Sequence, residues 1–403
     1  MIPRRRLLAA LPFLAMPKFA KAASHHKQAV RRPSYNTGVG FYTLSGRGPY
    51  TSSTNTRIYD ANGNTFRPRG VNRIHYNNSC DQGIWNSAAN CERYVLYWAL
   101  GTTSAQFVNT YIIPNIINHG IIPIVGAFYT STGIRTSGVT DPATLIQCVD
   151  DWIDGVNGSA GASVWKTIEK YMILNIANEW GPQTSTWQST YITAVQSLRA
   201  AGFNCPLLID APGAGEDIGG GGEAPFTTTV IPDGPGIIEA DPEHNIIFGC
   251  HVYGNIQAGQ ALSHLTPMAQ SGLPFIVSEF GPGRDIGPSP TNLTPGELIS
   301  ACEQLGCGWI GWAWDDNDLV NSESNDSWFA MVFSDAAQTP APPYGGYYTS
   351  NPGDLTMFGN NIVLATPNGT LDGLGNVITG STPGMSLSHL AVRCSIFAGG
   401  GPS

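Results

Sequence analysis

Charge is scarce in this 403-residue chain: only 12% of it is Asp, Glu, Lys or Arg, against about 25% in an ordinary soluble domain. Cations are scarcer still, and unevenly placed. Residues 1–32 hold eight of the twenty Lys+Arg and no acid, which leaves twelve cations against 29 acids over residues 33–403, a net of −17. Beyond residue 32 the only lysines are Lys166 and Lys170. Such a body excludes binding of nucleic acid through phosphate neutralisation, which needs clustered basic side chains. A neutral polymer such as a polysaccharide is compatible with it. The chain also lacks a C-x-x-C pair, metal-ligand spacing among its cysteines, and a glycine fingerprint after its first strand. No metal or cofactor site is therefore read from it. No apolar run is long enough to span a bilayer.

The missing cations sit at the N-terminus. Arg4-Arg5-Arg6 precedes a modest apolar run, Leu7 to Met16, and then Ala20-Lys21-Ala22, an A-x-A-like cleavage site. Residues 1–23 read as an export signal, twin-arginine-like, with an ordinary secretory signal as the alternative. Residues 24–55 read as a linker or N-terminal arm, residues 56–385 as one catalytic domain, and residues 386–403 as a tail. The expected product is secreted or periplasmic, free of the membrane after cleavage, and monomeric. Eight cysteines in an exported chain imply disulfides. Cys80 with Cys91, Cys302 with Cys307, and Cys148 with Cys205 are the pairs considered, while Cys250, inside a predicted strand, reads as a buried free thiol.

Short apolar runs recur with helical patterns between them. Strands are predicted at Phe66–Ile74, Cys91–Tyr97, Ile121–Phe128, Met172–Ala177, Pro206–Asp210, Ile246–His251, Pro274–Ser278 and Gly308–Ala313. Several are continuously apolar, as parallel strands covered on both faces are. Helices are predicted at Ser104–His119, Pro142–Tyr171, Thr186–Ala201, Ala258–Ser271 and Pro295–Leu305, two of them opened by Asp141-Pro142 and Thr294-Pro295. Eight strands alternating with helices predict an α/β fold, the (β/α)8 barrel; an open doubly wound sheet is the competitor.

In such a barrel the chemistry sits at the carboxyl ends of the strands. Two of the apolar runs end there in a glutamate followed by an aromatic residue and a glycine: Glu179-Trp180-Gly181 and Glu279-Phe280-Gly281. A carboxylate at the end of a buried strand is costly to desolvate, so it needs partners or a task. Two on different strands of one barrel meet the requirement of glycoside hydrolysis, a general acid and a nucleophile. Glu179 is read as the acid, which calls for a raised pKa, and Glu279 as the ionised nucleophile. Around them stand Asn72, Arg73, His75, Arg93, Asn178, Asp210, His251, Tyr253 and Trp312. The acidic run Asp315–Asp318 reads as a set of hydrogen-bonding groups rather than a calcium site.

Leu174-Asn-Ile-Ala-Asn178-Glu179-Trp180, Gly249-Cys-His251-Val-Tyr253, Ile276-Val-Ser-Glu279-Phe-Gly281 and Gly308-Trp-Ile-Gly-Trp312-Ala-Trp314 together resemble glycoside hydrolase family 5. The resemblance runs from about Tyr59 to the 370s, and Asn-Glu-Trp makes it more similar to the bacterial β-mannanase branch than to the cellulases. It implies that Asn178 binds the sugar 2-hydroxyl, Arg93 keeps Glu279 ionised, Tyr253 hydrogen-bonds the nucleophile, and His251 sits beside the acid/base or the substrate. Trp312 would be a sugar platform. By strand alternation Trp314 faces the same way and Trp309 faces the helices. His75, Asn72 and Tyr76 are read as binders of more distant sugars. Two departures bear on the substrate. Relatives usually carry a histidine at the end of the third strand, where this chain has Tyr129, and a tryptophan after the fifth, where it has Ala214. The expectation is a retaining endo-β-1,4-glycanase acting on β-mannan, with β-glucan and a non-catalytic polysaccharide-binding barrel as the alternatives.

Overall fold

The computed structural model describes residues 66–73, 84, 89–97, 105–119, 121–155, 161–217, 229–253, 256–281 and 293–314, together with four short strand segments. His75, Tyr76, the export signal, the linker apart from Phe41–Thr43, Cys80 and Asp315–Asp318 lie outside them.

The apolar runs form eight strands: β1 (Arg69–Arg73), β2 (Cys91–Tyr97), β3 (Ile122–Tyr129), β4 (Ile173–Asn175), β5 (Leu207–Asp210), β6 (Ile246–Val252), β7 (Phe275–Phe280) and β8 (Gly308–Gly311). They pair in parallel, each with the next in sequence, and β8 closes on β1 through Trp309 opposite Arg69 and Ile310 opposite Gly70. The result is the closed (β/α)8 barrel expected. Alternation then sorts the side chains. Cys91, Ile122, Ile124, Ile173, Leu208, Ile247, Ile276 and Ile310 form one buried cluster inside the barrel. The intervening residues pack outward on the helices, with Trp152, Trp165, Trp187 and Trp309 wholly buried there. Each fully buried branched aliphatic side chain contributes roughly 1.5–3 kcal/mol by leaving water.

Two helices start where their caps place them. In α1 (Pro142–Asp154) Asp141 accepts from the Ala143 N–H at 3.1 Å, and in α5 (Pro295–Leu305) Thr294 accepts from Glu297 N–H at 3.2 Å. The first does not run on to Tyr171 as predicted. Gly155, at φ 74°, takes the chain out of the helix, and among the described residues the turn Ala162–Trp165 and a tight turn at Glu169–Tyr171 follow. The helices α2 (Ser185–Ala200) and α4 (Ala261–Ser271) fall where expected, but α3 (Val230–Ala240) was not anticipated. Its sequence, Val-Ile-Pro-Asp-Gly-Pro-Gly-Ile-Ile-Glu-Ala, is poor in helix formers. Packing overrides propensity there: Val230, Ile237 and Ile238 are buried, and Gly234 lies so close to Phe248 and Leu273 that a Cβ would stand 3.0 and 3.1 Å from them.

The barrel is tied at its amino end. Glu303 at the end of α5 accepts from Arg67 at 2.7 Å, from Arg69 twice at 2.6 Å, and from the Trp309 indole at 3.0 Å. These groups hold its carboxyl below the ordinary range against the opposing effect of burial. The six described cysteines, Cys91, Cys148, Cys205, Cys250, Cys302 and Cys307, are free buried thiols. That corrects the disulfides considered for Cys302 with Cys307 and Cys148 with Cys205; the Cys250 expectation agrees.

Candidate active site

Directly above the aliphatic cluster, toward the carboxyl end, the interior turns polar. Asn72 (β1), Arg93 (β2), Asn175 (β4), Asp210 (β5) and Ser278 (β7) are all buried. They fit because β3 and β6 contribute glycines at the facing positions. A Cβ on Gly126 would stand 2.7 Å from Asn175 Oδ1, and one on Gly249 would stand 2.5 Å from Ser278 Oγ and 2.7 Å from Asp210 Oδ1.

Arg93 organises this layer. Its Nη1 donates to Glu279 Oε1 at 2.5 Å and to Asn72 Oδ1 at 2.9 Å. Its Nη2 donates to Asn175 and Asn178 Oδ1, both at 2.7 Å, and meets Asp210 Oδ2 at 3.4 Å. A fully buried guanidinium needs such a set, because an uncompensated buried charge costs several kcal/mol. The Tyr253 hydroxyl donates to Glu279 Oε2 at 2.8 Å. Arg93 and Tyr253 thus stand on Glu279 as the resemblance implied.

A register shift aims Glu279 inward. Along β7, Ile276 and Ser278 face the interior, so strict alternation would send Glu279 out. Between β6 and β7 the pairing slips after Cys250, and His251 lies opposite Glu279. Bulges re-aim side chains in this way. Glu179 reaches the mouth differently. Strand β4 stops at Asn175, and Glu179 takes a left-handed backbone, φ 52°. Its N–H donates to Asp210 Oδ2 at 3.0 Å, and its carbonyl accepts from Gly138 N–H at 3.1 Å.

His251 lies between the two glutamates, with Nδ1 2.8 Å from Glu179 Oε1 and 3.3 Å from Glu279 Oε2. One oxygen of each carboxylate and the imidazole nitrogen all lie within 4.8 Å of one another. Burial alone would lower the His251 pKa, but the carboxylates of Glu279, Asp210 and Glu179 push it up to about 9. Burial likewise raises Glu179, yet the His251 hydrogen bond and charge, with Ser137 and Arg135, hold it below the ordinary carboxylate range. Burial carries Glu279 above that range, and His251 and Arg93 offset it in part. At neutral pH the resting site therefore holds its mobile proton on His251, and the raised pKa expected of Glu179 is not the resting condition.

This has a consequence for stability. A histidine whose folded pKa stands at about 9 against an ordinary 6.5 stabilises the fold fully below about pH 6.5, and that stabilisation is lost as pH rises through about 9. The Tm is expected to fall by a few degrees between pH 6.5 and 9, and His251→Gln to remove most of that fall. Calorimetric scans across the range check it; an unchanged slope in the variant would exclude His251 as the cause.

The aromatic residues rearrange the expectations. Phe128, not Tyr129, continues the inward parity of Ile122, Ile124 and Gly126. It stacks on Trp312 (centroids 5.7 Å apart, planes at 19°) and lies under the Arg93 guanidinium at 5.0 Å. Tyr129 is half-buried beside this cluster. Trp312 is backed by Phe128 and stays partly exposed, which suits a platform. Trp314 does not face the same way: it is wholly buried in the layer that holds Trp309. Strand β8 ends at Gly311, so alternation does not carry to Trp314. Trp309 faces the helices, through its bond to Glu303. Ala214, in a left-handed turn at φ 60°, occupies the loop after β5, where Gly215 carbonyl accepts from the His251 N–H at 2.9 Å. Sequence reasoning missed Asn175, Phe128 and Ser137. Interior parity on β3 and β4 could have found the first two.

The family model described as "Cellulase (glycosyl hydrolase family 5)" matches residues 159–318. The chain is 29% identical over 319 residues to a mannan endo-1,4-beta-mannosidase of Streptomyces lividans, covering 73% of this chain and 77% of that protein. It is 27% identical over 271 residues to the enzyme of the same name from Salipaludibacillus agaradhaerens, covering 64% and 80%. The solved β-mannanase of Thermomonospora fusca superposes with TM-score 0.58 at 26% identity, over 80% of this chain and 94% of that one, and its mannotriose complex gives 0.57. Site, relatives and fold converge: the chain is similar to glycoside hydrolase family 5 over residues 159–318 and to β-mannanases over most of its barrel.

Proposed function

We propose that the protein is an endo-β-1,4-mannanase working by double displacement with retention of the anomeric configuration. The observation that carries the mechanism is the closeness of the two carboxylates, with oxygens within 4.8 Å. Retaining pairs stand about 5–5.5 Å apart, whereas inverting pairs stand about 6.5–9.5 Å apart to admit a water. Glu279, ionised against Arg93 and Tyr253, attacks C1 of the sugar as the glycosidic C1–O bond breaks. The leaving oxygen takes its proton from Glu179. Substrate entering the mouth displaces water, and the His251 Nδ1 proton, 2.8 Å away, passes to Glu179 Oε1. In the second half, Glu179 accepts a proton from water, whose oxygen attacks C1 and frees Glu279. Asn178 meets the 2-hydroxyl, where hydrogen bonding strengthens toward the oxocarbenium-like transition state.

Mannan is favoured as the polymer by the names of the relatives and by the mannotriose bound to a similar structure. β-Glucan is the second reading, because Tyr129 and Ala214 stand where relatives usually carry a histidine at the end of the third strand and a tryptophan after the fifth. Export fits the arginine-led apolar N-terminus, and no helix among the described residues is long and apolar enough to cross a membrane. The decisive experiment follows sugar release from mannan, glucomannan, cellulose and xylan, with NMR of the first-formed anomer on the best substrate. Release from cellulose alone would overturn the mannan reading, and an inverted first product the retaining one.

A further inference from the structure

The loop after β3 lies beside the reacting atoms and has no role in the mechanism above. It doubles back through a bridge between Tyr129 and Arg135 and returns to the mouth at Thr136. Thr136 is anchored to the strand it left: its N–H donates to Phe128 carbonyl at 3.0 Å, and its hydroxyl to the carbonyls of Phe128 and Ala127 at 3.1 and 3.3 Å. Two further latches join the loop to the segment after β4. Gly138 N–H donates to the Glu179 carbonyl at 3.1 Å, and Gly181 N–H to the Val139 carbonyl at 3.0 Å. These matter because no ladder holds Glu179: β4 has ended, and its left-handed φ is disfavoured for a residue with a side chain.

Ser137 stands within this latch. Its hydroxyl accepts from Asn178 Nδ2 at 2.9 Å, its neighbour Gly138 holds the Glu179 carbonyl, and Ser137 helps to hold the Glu179 carboxyl below the ordinary range. The Ser137-Gly138 pair thus joins the group read as binding the 2-hydroxyl to the residue read as moving the proton. Asn178 Oδ1 is already taken by Arg93. With one amide hydrogen on Ser137, the other is left for the sugar.

We propose that Ser137 is a positioning residue that locks Glu179 and Asn178 into one fixed relation, so that protonation of the leaving oxygen and the 2-hydroxyl contact occur together. This rests on the reading of Glu179 as acid/base. The other charged or titratable groups facing Glu179 are His251 and Tyr253 from β6 and its end, Asp210 from β5, Glu279 from β7, Arg93 from β2 and Arg135 in the same loop. Ser137→Ala leaves all of them in place.

The test compares Ser137→Ala with Ser137→Thr in the full chain. With Ser137→Ala, kcat on polysaccharide is expected to fall roughly ten- to a hundredfold, the scale of a hydrogen bond to a charged group, with KM little changed. The upper limb of the pH profile is expected to move to higher pH, because the lost hydroxyl favoured ionised Glu179. Ser137→Thr is expected to restore both. On dinitrophenyl glycosides, whose leaving group needs no proton, the burst of phenolate release is expected to keep its native rate. Native kcat and pH profile in Ser137→Ala, or equal damage in both variants, or equal loss on both substrates, would overturn the proposal. Glu179→Ala run in parallel separates the two levels. Equal loss on both substrates there defeats the acid/base reading; leaving-group dependence there without it in Ser137→Ala defeats this proposal alone. If Ser137→Ala fails to give a native near-UV spectrum, Ser137→Cys, isosteric with a weaker donor, takes its place.

Discussion

Glu279→Ala is expected to lower hydrolysis by on the order of 10^5-fold while polysaccharide binding stays within a small factor of native, because a missing nucleophile removes the covalent path and leaves the platform intact. The loss must be separated from unfolding. Removing one partner of a buried ion pair costs about 3–5 kcal/mol, and Arg93 would lose its contact at 2.5 Å. Asp210 at 3.4 Å, with Asn72, Asn175 and Asn178, remains to compensate the guanidinium, so the lower end, about 3 kcal/mol, is expected. Glu279→Gln, which keeps the volume, is expected to unfold less easily and to be as inactive. Initial rates and affinity electrophoresis on the same preparations check this. Substantial turnover by either variant would remove Glu279 from the chemistry.

Glu179→Ala is the second large effect, and its signature is the dependence on leaving group. General acid catalysis contributes roughly 10^2–10^4-fold, and that loss is expected on polysaccharide. A dinitrophenolate departs unaided, so on such glycosides the first step stays fast. The second step, robbed of its base, is slow, and the glycosyl-enzyme accumulates as a burst of phenolate equal to the enzyme present. Azide, a nucleophile that needs no deprotonation, is expected to speed turnover and give a glycosyl azide of the same anomeric configuration as the substrate. Absence of both burst and azide rescue would exclude Glu179 as acid/base.

The strands were legible because their signal is local: Cys91–Tyr97 and the start of Ile246–Val252 coincide with the predicted runs. Both glutamates were legible because a carboxylate at the end of an apolar run is anomalous by itself. What escaped depends on contacts distant in sequence. Helix α3 exists against its own propensities, through Phe248 and Leu273. The inward turn of Glu279 needs a register slip between β6 and β7, and Trp314 is carried away from Trp312 because β8 stops early. Ser137 carries no mark in a loop of Ser, Thr and Gly, and becomes visible once that loop is seen to return to Glu179. The proton balance escaped for the same reason, since three residues 72 and 28 positions apart settle it together.

The two interior glycines bear on how far this barrel could be engineered. Exchanging glycine for alanine where the backbone permits it is a routine route to thermostability, gaining about 0.4–1 kcal/mol by restricting the unfolded chain. At Gly126 and Gly249 the added methyl would strike Asn175 and Asp210, the groups that accept from Arg93 and from the Glu179 N–H. A hardening programme that treated all 48 glycines alike would spoil the reaction at those two without touching either glutamate.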